Sequence, residues 1–241
     1  MSAKPVIVIT GAAGGIGIAT IKALAAPGAQ LHLIDSNESR LKEAVSLAEE
    51  AGASVSSTVS DLGTPQKCLA ALPTGPGPIG ALIHLAGIFV RHQMDEPGRE
   101  IYNQTMQANA TNAYDLVAAA NNRLHKGSRI VFVSSLAFNR GSPDHIAYSM
   151  AKGSLVGLTR SLSKALGPRG VLVNALAPGI IETPMPAEII KANGEALMKA
   201  VPLGRFGQPE EVAGVIEFLV GPGSTYVTGQ LINVDGGVIN G

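Results

Sequence analysis

Short apolar runs alternating with longer helical stretches along nearly the whole chain restrict it to very few architectures. Residues 6–9 (VIVI), 31–34 (LHLI), 81–86 (ALIHLA), 130–133 (IVFV), 171–176 (VLVNAL) and 231–234 (LINV) have strand length. Most are apolar at consecutive positions, the pattern of parallel strands covered on both faces. Residues 54–59 (SVSSTV) form a weaker, more polar seventh candidate. Helical patterns fall near 15–26, 37–51, 65–72, 99–125, 148–166 and 209–220. Pro209 suits the first position of the last of these, and Glu210 and Glu211 suit its first turn. Strand–helix alternation of this kind implies an α/β, doubly wound parallel sheet of about seven strands with helices on both faces. Neither a repeat nor a linker divides residues 1–241, so one domain is expected. Residues 183–207, with prolines at 184, 186 and 202, interrupt the rhythm and read as a substrate lid.

Composition narrows the function classes. Eighteen basic and eighteen acidic side chains cancel, which gives no electrostatic reason to bind nucleic acid or an anionic membrane. The single cysteine, Cys68, cannot form an internal disulfide, as befits a reducing compartment. The apolar run after Lys4 is too short for a secretory signal. Residues 68–90 carry no formal charge but contain Pro73, Pro76 and Pro78, which break a membrane helix. That segment reads as a helix end, a turn and a buried strand. A cytoplasmic protein is expected.

The first strand runs directly into TGAAGGIG, residues 10–17. Gly11, Gly14, Gly15 and Gly17 let the turn take positive φ and let backbone N–H groups approach a pyrophosphate, with Ile16 opening the helix behind them. A glycine-rich turn between a strand and a helix is the Rossmann-type context for a dinucleotide. No Gly-Lys-Ser/Thr follows, which excludes a Walker A site. Asp35 ends the second strand, where an acid binds the adenosine ribose hydroxyls. Its carboxylate would repel a 2′-phosphate by about 4 kcal/mol at about 4 Å and an effective dielectric of about 20. Residues 12, 13 and 36 are not basic, and Arg40 is the nearest cation in sequence. NAD(H) is therefore favoured, with NADP(H) as the alternative. No metal site is expected.

Tyr148 precedes Lys152 by one helical turn, a spacing that is ordinary on a solvated helix face. Ser135, just past the strand at 130–133, changes its meaning by placing a hydroxyl at the same crevice. A ketone accepting hydride needs a proton on oxygen, which Tyr148 can donate; its phenolate can remove that proton in the reverse direction. The Lys152 ammonium favours the phenolate, and Ser135 can hold the substrate oxygen.

Taken together, TGAAGGIG, Asp35, LAG at 85–87, Asn109, Ser135, YSMAK at 148–152 and PGIIET at 178–183 resemble the short-chain dehydrogenase/reductase family over almost the whole chain. The general shape resembles 3-oxoacyl-carrier-protein reductases and related sugar or small-alcohol dehydrogenases. The resemblance implies an oxidoreductase interconverting a secondary alcohol and a ketone, with Asn109, Ser135, Tyr148 and Lys152 catalytic. It implies that Lys152 holds the nicotinamide ribose and that Asn109 organises a water leading protons to the lysine. It also implies adenine contacts at Asp61 and Leu62, a nucleotide floor at Ala86 and Gly87, and carboxamide contacts from Pro178, Gly179, Ile181 and Thr183. A homodimer or homotetramer is implied too, through the C-terminal GQLINVDGG and the helices at 99–125 and 148–166, whose Leu155, Leu158 and Leu162 exceed what one sheet face needs. Where the family has NNAG, this chain has HLAG; His84 reads as a satisfied interior histidine.

Three other readings stand beside this one. A 3-oxoacyl-carrier-protein or acyl-CoA reductase using NADPH would want a basic docking patch, to which Lys126, Arg129 and Arg169 could contribute. A silent binding protein on the same fold would not need Ser135, Tyr148 and Lys152 intact. A serine hydrolase built from Ser135, His145 and Asp144 lacks the Gly-x-Ser-x-Gly elbow.

Overall fold

A computed structural model describes residues 4–91, 94–95 and 98–239. The expected alternation is present. Strands β1 (Val6–Thr10), β2 (Gln30–Asp35), β3 (Ser54–Val59) and β4 (Ile79–His84) are separated by helices α1 (Gly15–Leu24), α2 (Glu38–Glu50) and α3 (Pro65–Ala71). Helices α4 (Gly98–Met106) and α5 (Asn112–Ala120) lead to β5 (Leu124–Val133), then the short α6 (Ala137–Arg140) and the long α7 (Ile146–Leu166). Strand β6 (Leu172–Pro178), helices α8 (Ala187–Lys199) and α9 (Pro209–Val220) and strand β7 (Leu231–Val234) complete the order.

All seven strands form one parallel sheet in the order β3-β2-β1-β4-β5-β6-β7. The chain crosses over between β1 and β4, which opens a crevice outside the carboxyl ends of those strands. Consecutive apolar residues serve two cores. Val8, Leu82, Ile130 and Phe132 pack on one face with Leu116 and Leu155, while Ile9, Ile83, Val131 and Val133 pack on the other with Leu41 and Ile216. Each such side chain, fully buried, contributes about 1.5–3 kcal/mol. The polar β3 is an edge strand, which explains its weak signal: four of its six residues are exposed. Its helical neighbours start where side chains cap them. Asn37 accepts from the Arg40 N–H (3.1 Å) and Thr64 from the Lys67 N–H (3.2 Å).

Two boundaries differ from expectation, one beside the site and one at the far end of the sheet. The helix expected over 99–125 is broken by a π-helical turn, Gln107–Thr111. There the Asn109 side chain donates to the Thr105 carbonyl (2.9 Å), four residues back, in competition with the backbone ladder. The strand expected at 130 begins at Leu124, because Leu124 pairs with Ile79 ahead of a register shift. Among the described residues, no helix is long and apolar enough to cross a membrane, and residues 68–90 divide into the end of α3, a turn and β4 as expected.

Candidate active site

The glycine turn is shaped for a group that must approach the backbone. Gly11 has φ +64°, and a Cβ there would lie 2.7 Å from the Ala86 nitrogen; at Gly17 it would lie 2.3 Å from the Gly11 carbonyl oxygen. Helix α1 starts at Gly15 with no side chain capping it, so its first N–H groups face the crevice. Thr10 knots the strand ends behind the turn. Its Oγ1 accepts from the Leu85 and Ala86 N–H groups (3.2 and 3.3 Å) and pairs with His84 Nδ1 (2.8 Å). Asp35 is held by the N–H groups of Ala13 (3.0 Å) and Asn37 (2.9 Å), and the cap of α2 is Asn37 rather than Asp35. A recess of about 260 Å³ runs from Asp35 past Asp61, Leu62 and Ala86 to Gly87. Asp61 is exposed and paired with Lys67 (2.7 Å), which holds its carboxyl below the usual range.

Gly87 also borders a second recess, of about 170 Å³, lined by Asn109, Ser135, Tyr148, Lys152, Pro178, Gly179, Ile181 and Thr183. The structure thus brings together the residues expected on the nicotinamide and substrate side. Lys152 is buried and donates from Nζ to the Val133 carbonyl (2.9 Å), with Nζ 5.6 Å from the Tyr148 ring centroid. Burial lowers the Lys152 ammonium to about 8. Tyr148 moves the other way. Burial raises its phenol to about 12, and the hydrogen bond with Ser135 recovers only part of that. Without a cofactor, burial dominates the phenol; the sequence reading lowers it through the Lys152 ammonium together with the oxidised nicotinamide. Asn109 donates to the Ile88 and Thr105 carbonyls (3.0 and 2.9 Å), while its Oδ1 is buried and unpartnered. A Cβ at Gly87 would fill the space 2.3 Å from that oxygen. A floor without side chains, uncapped helix N–H groups, a fixed carboxylate and an unmet acceptor beside the lysine together fit a dinucleotide.

Several site residues escaped the sequence reading. Ser134 donates to the Lys152 carbonyl (2.7 Å) and, with the Lys152–Val133 bond, staples α7 to the end of β5. Phe89 stacks on His145 (4.0 Å between centroids) and meets Tyr148 edge-on (4.8 Å). The first serine of VSS, beside Ser135, was the only sequence hint of Ser134; Phe89 gave none.

Other expectations need correction. Lys126, Arg129 and Arg169 lie at the entry of β5 and the end of α7, at the opposite end of the sheet from the recess. Arg129 is buried, and Arg169 is bound to Asn121 and to the Leu124 carbonyl. They make no docking patch at the site. Asp144 is paired with Arg91 and His145 with Ser142, which is not the relay of a serine hydrolase. Leu155 is buried in the chain's own core, while Leu158 and Leu162 pack against that core and stay partly exposed. His84 is interior as expected. Burial first, then the Lys152 charge, lower its imidazole to about 3; Asn112 is the one neighbour favouring the charged form. Its Nε2 and the Asn112 Oδ1 nevertheless close no full hydrogen bond. In the lid segment, only the first part is loosely held: α8 has no buried residue. The tail is anchored by Leu203 N–H to Gly236, Gly207 N–H to Ile180, and the Arg205–Glu211 pair.

A sequence model of the family described as Enoyl-(Acyl carrier protein) reductase matches residues 11–239. The chain is 36% identical over 245 residues to L-rhamnose 1-dehydrogenase (NAD(P)(+)) of Azotobacter vinelandii, covering 96% of this chain and 95% of that one. It is 35% identical over 240 residues to 3-oxoacyl-[acyl-carrier-protein] reductase of Thermotoga maritima, covering 97% of each. Among solved structures, a Short-chain dehydrogenase/reductase SDR:Glucose/ribitol dehydrogenase from Brucella melitensis superimposes with a TM-score of 0.88. The two share 32% identity over 98% of this chain and 97% of that one.

Proposed function

Given that the chain belongs to the short-chain dehydrogenase/reductase family of oxidoreductases acting on CH–OH and C=O groups, we propose that it interconverts a secondary alcohol and a ketone with NAD(H), through Ser135, Tyr148 and Lys152. The observation that carries this reading is the residue set of one recess: Ser135 and Tyr148 on its wall, with the Lys152 ammonium beside the tyrosine ring and a dinucleotide cradle opening into the same space. When bound, the nicotinamide supplies the hydride acceptor or donor and, oxidised, a positive charge beside the phenol. Ser135 holds the substrate oxygen. Tyr148 takes the hydroxyl proton as the carbon gives up its hydride, or returns it to the carbonyl oxygen in reduction. Lys152 holds the nicotinamide ribose and stabilises the phenolate. Asn109 Oδ1, unpartnered within the chain, accepts the hydrogen bond that links the lysine to a proton path. Residues 184–200 close over the substrate, with Met185, Pro186 and Ile189 already lining the recess. In a buried site the phenol's height near 12 means that oxidation accelerates with rising pH.

The cofactor preference rests on Asp35, whose charge is fixed by two N–H groups beside uncharged Ala13 and Ser36. NADH should bind more tightly than NADPH, and Asp35→Ala should narrow the gap; calorimetric titration with tighter NADPH binding would overturn the preference. Similarity to the Thermotoga maritima reductase favours a second reading, NADPH-dependent reduction of a 3-oxoacyl thioester. A substrate panel followed by nicotinamide absorbance with both cofactors separates the two. We also expect a homodimer or homotetramer, in which exposed Tyr114, Met150 and Phe218 would be covered; a monomer mass by light scattering would refute that.

A further inference from the structure

The charges around the substrate recess point to the chemistry of what enters it. Two charged side chains, Lys152 and Arg140, are among the described residues lining it, and both are cationic; no carboxylate lines it. Lys152 is committed to the Val133 carbonyl and sits beside the tyrosine. Arg140 is not committed. Its guanidinium makes no ion pair or hydrogen bond with any described residue, and Asp144, the acid four residues on, is taken by Arg91. Helix α6 begins two residues after Ser135 and ends at Arg140, and both residues line the recess. Ser142, a second polar group, lines the recess just beyond it, and the remaining wall at this end is apolar: Phe89, Leu136, Met185 and Ile189. A guanidinium beside an apolar wall binds a planar anion by paired N–H bonds, and the exposed Arg140 is free to meet one at the mouth of the recess.

We infer that the substrate is itself an anion, a small hydroxy or oxo acid whose carboxylate is held by Arg140 a few bonds from the carbon held at Ser135 and Tyr148. The inference rests on the alcohol–ketone reading above and goes beyond it in substrate class. The shared chemistry is anion recognition, and the other source of an anion is the phosphate of a pantetheine arm. The recess favours the short carboxylate. Arg140 lines the same recess as Ser135 and Tyr148, whereas the whole pantetheine chain separates the arm's phosphate from the thioester carbonyl.

The test compares matched pairs, 3-oxo and 3-hydroxy acids of increasing chain length against their methyl esters, in the wild type, Arg140→Met and Arg140→Lys. The readout is the ratio of kcat/KM for acid over ester. A charge-assisted bond predicts a wild-type ratio of about 10–100, collapsing toward one in Arg140→Met and partly restored in Arg140→Lys. A structural role for Arg140 would lower both members of each pair and leave the ratio unmoved, which overturns the proposal. A wild-type ratio near or below one overturns it as well. A third arm uses acetoacetyl-pantetheine and acetoacetyl-phosphopantetheine: sensitivity to Arg140→Met confined to the phosphorylated thioester assigns the anion to a carrier arm and refutes the short acid. If no member of the panel turns over, the redox reading fails separately, and calorimetric titration of the NAD complex with acetoacetate decides. Binding weakened at least about tenfold by Arg140→Met supports the anion site, and equal binding refutes it.

Discussion

Replacing Lys152 by methionine should make the cofactor-free protein more stable while destroying its activity. The ammonium is buried, and its value falls from 10.5 to about 8. At about 1.36 kcal/mol per unit, that fall means the charged form costs folding about 3 kcal/mol at neutral pH. Methionine has similar length and no charge, so the cost disappears. The Val133 carbonyl then loses its donor, which returns about 1–3 kcal/mol. The net gain is about 1 kcal/mol at pH about 7, or roughly 2–4 °C in Tm for a chain of this size. The sign of the pH dependence is fixed by linkage. Below about 8 the wild-type lysine is charged both folded and unfolded, and the full burial cost is felt. Between about 8 and 10.5 the unfolded chain binds more protons than the folded one, so wild-type stability rises with pH. The variant has no ammonium to titrate, and its advantage should shrink and reverse by pH about 10. Urea unfolding at both pH values, without cofactor, measures it. A variant equally destabilised at both pH values would refute the claim that the buried charge outweighs the lost hydrogen bond.

Tyr148→Phe should reduce turnover by at least about 10²–10⁴-fold while leaving NAD affinity within a few-fold, measured by steady-state rates and calorimetry. Gly15→Ala should weaken cofactor binding, because its Cβ would meet Thr183 Cγ2 at 2.5 Å. Thr183→Ser removes that methyl and should restore much of the loss in the double variant; no rescue would place the strain elsewhere. His84 stays neutral in the fold down to about 3, so stability should fall as pH drops below 6.5, where the unfolded histidine gains a proton. His84→Asn should therefore move the acid-unfolding midpoint, followed by circular dichroism, to lower pH.

The sheet was legible because its strands are buried on both faces, which forces apolar residues at consecutive positions, as in Val8–Ile9 and Leu82–Ile83. Asp35, the glycines and the tyrosine–lysine pair stood out because the backbone and proton chemistry proposed for them is open to few residue types. What stayed hidden depends on contacts between distant segments. The π-helical turn follows from one side chain's choice of acceptor, which helical periodicity does not encode. Phe89 and Ser134 gain meaning only from what β4, β5 and α7 bring beside them. Chain order also concealed that Lys126, Arg129 and Arg169 lie at the far end of the sheet. The apolar spacing of Leu155, Leu158 and Leu162 is the same whether the helix meets its own sheet or a neighbour.

Helix α8 lines the recess through Ile189 but buries no residue of its own, whereas α7 is stapled to β5 by two bonds through Lys152. On the function proposed above, chemistry and selectivity are thereby written on separable parts of the chain. Residues 184–200 form an exchangeable cassette: the chain before it is pinned by the Glu182 N–H to the Gly207 carbonyl and the chain after it by the Leu203 N–H to the Gly236 carbonyl, and neither core contains a residue from it. A graft there from another member of the family would retarget the enzyme and leave the proton-transfer apparatus and the fold's stability untouched.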